Sequence, residues 1–274
     1  MQFGVDGYDN PETIRFKKYA TGAHLVLQGT EVQTGQTPKE VVWQKDRARL
    51  YRYEPAAEKR FPVPVLLVYA LILRPYILDL TPGHSFVEYL VGEGFDVYML
   101  DWGVPGDEDK HLSFENYVLD YLPEAVQQVL SNSRAEELTL FGYCQGGTIN
   151  AMYAALFSEA PLRNLVLLTT PVDFAPKDPG LFGLWTLWSR QEYFNPDLVV
   201  QTFGNVPADM VSRFIESMSD MSRSVIDFIS AHATPWNRVA RESFTAPFLA
   251  VSKWVDDGIP FPGEAFRQWI RDFY

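Results

Sequence analysis

The segment Leu138-Thr139-Leu140-Phe141-Gly142-Tyr143-Cys144-Gln145-Gly146-Gly147 constrains this chain more than any other. A short apolar strand runs straight into a glycine-flanked cysteine, and small residues continue as a helix through Leu156. So sharp a strand-to-helix turn leaves no room for side chains two positions either side of its apex, and Gly142 and Gly146 stand there. The pattern is that of a nucleophile elbow with cysteine in place of serine. It lifts the Cys144 thiol above a sheet at a helix N-terminus, whose partial positive charge favours a thiolate. It also aims the backbone N–H of Gln145 at the place where an oxyanion would form. Both flanks are glycine by chance in only about half a percent of cases.

Such a turn requires a parallel sheet around it, and the middle of the chain supplies one. Val65 to Ala70 is apolar throughout, as in a strand buried on both faces. A helix follows from Ser85 to Val91, closed by Gly92 and Gly94, then a strand from Phe95 to Leu100. A helix capped by Ser113 runs to Leu130, and Leu165 to Leu168 forms a strand beyond the elbow. Alternating strands and helices predict an α/β fold with a mostly parallel sheet. Ahead of it, Val41-Val42-Trp43 and Leu50-Tyr51-Arg52-Tyr53 read as an antiparallel pair. After Pro171 the chain becomes aromatic and helical, with segments at Ala208 to Met218, Ser224 to Ile229 and Gly263 to Tyr274. Phe248 to Val251 is the one further strand candidate, inseparable from a helical turn by periodicity. We divide the chain into a lead-in with antiparallel strands (1–60), the core with its elbow (61–171) and a helical cap (172–274).

Composition narrows the function. Thirty-five acidic against 23 basic residues give a net charge of −12, which argues against nucleic-acid partners, since those bind through Lys and Arg. A single cysteine makes neither an intrachain disulfide nor a structural zinc site. No signal peptide is evident, and the most apolar stretch, Phe61 to Leu73, is interrupted by Pro62 and Pro64 and is too short to cross a bilayer. The expectation is a cytoplasmic protein with no transmembrane segment, no metal and no cofactor.

A thiolate attacks thioesters well, and the acyl-enzyme it forms is itself a thioester. Acyl transfer from coenzyme A therefore fits this nucleophile better than peptide cleavage. The elbow fold orders its triad as nucleophile, acid, histidine. Only His232 follows Cys144, and it precedes Asp256 and Asp257, so the order is wrong. His24 and His84 carry no signal, and His111 follows an acidic run that reads as solvated loop. No acid or base is visible in this chain. Gly103-Val104-Pro105-Gly106 lacks the Lys of a phosphate loop. Trp185 and Trp188 read as core filling, and Arg267, Arg271 and Asp272 as a solvated helix face.

The chain resembles the catalytic subunit of polyhydroxyalkanoate synthases, in particular the short two-component kinds, class IV (Bacillus-type) and class III. The resemblance is carried by Thr37 to Trp43, Leu50 to Tyr53, Tyr69 to Ile72, Pro75 to Gly83, Gly94 to Gly103 and the cysteine elbow. It continues through Thr170 to Phe174, Thr202 to Pro207 and Asp257 to Glu264. It implies an α/β-hydrolase fold with a helical cap, polymerising (R)-3-hydroxyacyl-CoA, typically 3-hydroxybutyryl-CoA, with release of CoA. Cys144 matches the acyl-carrying nucleophile, Gln145 one backbone oxyanion donor, and Ile72 a weaker match for the second. The family implies a hydroxyacyl-CoA substrate, a small accessory synthase subunit, a homodimer of catalytic subunits, and residence at polymer granules. Two departures stand out. Leu73 stands where relatives usually carry Asn, and the family's catalytic Asp and His follow the cap, where this chain has stopped. The final strands are expected to be missing, leaving an unpaired apolar sheet edge. A cysteine-dependent thioesterase and a catalytically dead interaction module are the competing readings.

Overall fold

Strand β1 (Lys39–Lys45) turns at Asp46, in the left-handed region, and returns as the antiparallel strand β2 (Ala48–Tyr53). In the computed structural model, which describes residues 32–174, 194–213, 247, 250, 251 and 253–273, this pair forms one flank of a six-stranded sheet. The centre is β3 (Val65–Val68), buried at every position, as its unbroken apolar run requires. Parallel neighbours β6 (Val97–Asp101) and β7 (Leu138–Tyr143) flank it, and β8 (Leu162–Leu168) pairs parallel to β7. The strand order is β1-β2-β6-β3-β7-β8, with β2 antiparallel to β6. A small hairpin, β4 (Asp79–Thr81) with β5 (His84–Ser85), stands apart.

The helices fall where glycines and caps placed them. Helix α1 (Phe86–Gly92) starts at Ser85, whose hydroxyl accepts the N–H of Glu88 at 2.9 Å. The predicted Ser113–Leu130 helix is interrupted by a π-helical turn, Asn116–Tyr121, before α2 (Leu122–Ser133). Helix α3 (Gln145–Leu156) leaves the elbow with its first six residues buried. Ala250 and Val251 are helical, which resolves the ambiguous Phe248–Val251 segment against a strand; Phe248 and Leu249 lie outside the described residues.

The motifs in the second half serve as fastenings. Asn205, buried, donates to the Gly106 carbonyl at 2.7 Å and accepts the Gly263 N–H at 3.2 Å. Val206 and Phe261 exchange backbone hydrogen bonds at 2.9 and 3.0 Å. Arg267 and Arg271 do not form a free solvated face. Both reach Asp197 on α4 (Pro196–Phe203), Arg267 at 2.9 Å, and so clasp α4 to α5 (Gly263–Gln268); Asp272 stays exposed. That pairing joins residues far apart in sequence, beyond the reach of a periodicity argument.

Beyond β8 no described strand continues the sheet. Leu165, Val166, Leu167 and Leu168 are each 37–42% exposed there. No described helix is long and apolar enough to cross a membrane.

Candidate active site

Cys144 sits between β7 and α3 with φ 55° and ψ −131°, a backbone state that side-chain-bearing residues rarely hold. Its N–H donates to the Leu168 carbonyl at 2.9 Å, and its carbonyl accepts the Gly147 N–H at 2.9 Å. The flanking glycines are sterically obligatory. A Cβ on Gly142 would lie 2.4 Å from the Gly147 Cα, and one on Gly146 only 2.3 Å from the Val68 carbonyl oxygen. The elbow thus packs its helix against the end of β3, where the next loop begins.

The thiol is half-buried, and burial pushes its pKa up from the ordinary value. The backbone N–H of Gln145, directed at the sulfur, opposes that shift without overcoming it. Of the two effects on the thiol, burial is the larger. A base is needed to activate the thiol. Among the described residues no histidine supplies one. His84 is exposed on the small hairpin and His111 is exposed on a 3₁₀ turn; His24 and His232 lie outside the described residues. No cluster of metal-ligating side chains occurs among the described residues.

Residues 69–74 form the facing loop. The Leu71 N–H donates to the side-chain carbonyl of buried Gln145 at 2.9 Å, and the Ile72 carbonyl accepts the Ile259 N–H at 3.4 Å. Ile72 thus stands between two anchored peptide groups, and among the described residues no acceptor takes its N–H. Leu73 is buried in the core, where an apolar side chain is at home.

Sequence reasoning missed the aromatic wall beside the thiol. Tyr69 stacks on Tyr143 with centroids 5.3 Å apart and meets Trp254 edge-on at 6.4 Å. Both tyrosines are held neutral, first by burial and then by proximity to Cys144. The Trp254 indole donates to the Arg74 carbonyl at 2.8 Å, and the Tyr76 hydroxyl to Asp257 at 2.6 Å, which ties this loop to the second half of the chain. Tyr69 and Tyr76 belong to the sequence motifs quoted above, though no spacing rule assigned them a place at the site; Trp254 carried no signal. Trp185 and Trp188 lie outside the described residues. A recess of about 540 Å³ beside Lys59, Arg60, Arg134 and Glu137 precedes β3 and β7 at the opposite end of the sheet and holds none of these groups.

A cysteine on a strained elbow at the carboxyl end of a parallel sheet defines an α/β hydrolase, and the family model described as the alpha/beta hydrolase fold matches residues 63–223. A second model, "Poly-beta-hydroxybutyrate polymerase (PhaC) N-terminus", matches residues 16–90. The chain belongs to the family of poly(3-hydroxyalkanoate) polymerase subunits PhaC. It is 37% identical over 270 residues to the subunit from Synechocystis, covering 96% of this chain and 69% of that protein. It is 34% identical to the subunit from Allochromatium vinosum, covering 94% and 70%. With the subunit from Haloferax mediterranei it shares 40% identity over 89% of this chain, which spans only 48% of that longer protein.

Proposed function

We propose that this chain carries the nucleophile of an acyltransferase that polymerises (R)-3-hydroxyacyl-CoA, typically 3-hydroxybutyryl-CoA, and releases CoA. The observation that supports it is Cys144 at the strained elbow between β7 and α3, with Gln145 the first residue of the helix that follows. A base removes the thiol proton and the thiolate attacks the CoA thioester carbonyl. The tetrahedral oxyanion, held by the N–H groups of Gln145 and Ile72, collapses and expels CoA as its thiol once protonated. A hydroxyl from a second acyl unit, deprotonated by the same base, then attacks the Cys144 thioester. An ester bond forms and the thiol is regenerated.

The base and its acidic partner belong, in this reading, to the portion of the relatives' length that this chain does not match. The chain's division into lead-in, core and cap belongs to the same reading. So do a small accessory synthase subunit, a homodimer of catalytic subunits and a place at polymer granules in the cytoplasm.

The test is incubation of the chain with 3-hydroxybutyryl-CoA, with and without an accessory subunit, following CoA release, polymer and intact mass. An acyl adduct that vanishes in Cys144→Ala is expected, with polymer only when the portion of a relative that carries the base is also present. CoA release over many turnovers, matched by free 3-hydroxybutyrate and with no polymer, moves the reading to a thioesterase. No adduct under any condition makes the chain a non-catalytic interaction module.

A further inference from the structure

We infer that the side chain of Gln145 is a positioning group that sets the spacing of the oxyanion hole. The inference rests on the nucleophile reading above and deepens it. Gln145 occupies two roles with two different groups. Its backbone N–H faces the Cys144 sulfur, and its side-chain carbonyl accepts the Leu71 N–H at 2.9 Å across 74 residues of sequence. The neighbouring peptide N–H, that of Ile72, is the candidate second donor.

The loop's other anchors come from elsewhere. The Tyr69 carbonyl accepts from the Trp102 indole at 2.9 Å, the Ile72 carbonyl from Ile259, and the Arg74 carbonyl from Trp254. Among the described residues, the Gln145–Leu71 bond is the one hydrogen bond that ties this loop to the elbow itself. It is buried, with Gln145 only 3% exposed, so water does not substitute for a lost partner. Two donors to one oxyanion must hold a fixed separation to act before the charge develops. Gln145 carries one of them and holds the peptide next to the other.

A merely structural glutamine and a positioning one are separated by two electrophiles. Cys144 reacts with 4-nitrophenyl butyrate through a carbonyl tetrahedral oxyanion, expelling nitrophenolate. It reacts with iodoacetamide by direct displacement of iodide, with no oxyanion. The ratio of the two rates cancels any change in thiolate fraction. In the full chain, Gln145→Met keeps the bulk and removes the acceptor, whereas Gln145→Glu keeps an acceptor for Leu71. The ratio is expected to fall about tenfold or more in Gln145→Met, and to stay within about threefold of the unsubstituted chain in Gln145→Glu.

A ratio in Gln145→Met within about twofold of the unsubstituted chain overturns the inference, and so does an equal fall in both variants. If circular dichroism shows Gln145→Met unfolded, Gln145→Asn, too short to reach Leu71, is read by the same criteria. Failure of the underlying reading looks different: the unsubstituted chain is alkylated by iodoacetamide but never acylated by the ester.

Discussion

The amide of Cys144 donates to the carbonyl of Leu168 at 2.9 Å, so the elbow residue hangs from the outermost described strand as well as from its own. That bond helps hold a conformation the residue would not choose. A backbone at φ 55° and ψ −131° costs a residue with a Cβ about 1–3 kcal/mol.

Substitution should expose the strain. Cys144→Gly relieves it, while the extra freedom of glycine in the unfolded chain takes back about 0.5–1 kcal/mol. Cys144→Ala keeps the strain and loses only the thiol. The glycine variant is expected to be the more stable of the two by roughly 1 kcal/mol in urea denaturation. A glycine midpoint at or below that of alanine means the elbow is not strained.

The thiol's protonation gives a second prediction. Burial raises the Cys144 pKa above its ordinary 9.0, and the Gln145 N–H offsets only part of that. The folded chain therefore keeps the thiol proton to higher pH than the unfolded chain does. Iodoacetamide alkylation should rise with pH in both, with its midpoint at higher pH in the native protein than in urea. A native midpoint at or below the unfolded one would show that the helix terminus, not burial, controls the sulfur.

The glycines of the elbow differ from glycines of ordinary turns in a measurable way. A Cβ on Gly146 meets the Val68 carbonyl oxygen at 2.3 Å and the Tyr69 carbonyl carbon at 2.8 Å, backbone atoms that have no rotamer to change. Gly83, with φ +76°, has nothing within 4 Å of the same position. Gly146→Ala is expected to cost about 2–3 kcal/mol and to suppress Cys144 acylation. Gly83→Ala should cost about 1 kcal/mol and leave acylation intact. Equal losses in the two variants would contradict the close packing of α3 on β3.

How much of this was legible beforehand follows from the range of the interactions. Strands β3, β6 and β7 were readable because burial on both faces demands unbroken apolar runs, and the elbow because its sterics admit glycine alone at 142 and 146. Both are local constraints. The clasp of Arg267 and Arg271 on Asp197, the reach of Gln145 to Leu71 and the Tyr69–Tyr143–Trp254 wall join residues distant in sequence, and only folding brings them together. The burial of Cys144 was hidden for a related reason. A helix terminus is visible in a sequence, whereas the amount of water left around a sulfur depends on everything packed about it.

Strand β8 is the outermost described strand, and its leucines reach solvent. It pairs with β7 on one side, and Leu165 and Leu167, two positions apart and so on one face, are each 40% exposed. An edge of this kind invites pairing with another chain, and lysines on it discourage that approach. The double substitution Leu165→Lys with Leu167→Lys is expected to lower concentration-dependent self-association in light scattering. Because both side chains already reach solvent, the urea midpoint should move by no more than the equivalent of about 1–2 kcal/mol. Undiminished association would place the sticky surface elsewhere. A collapse of the fold would mean that β8 is buried in solution by a partner or by further chain.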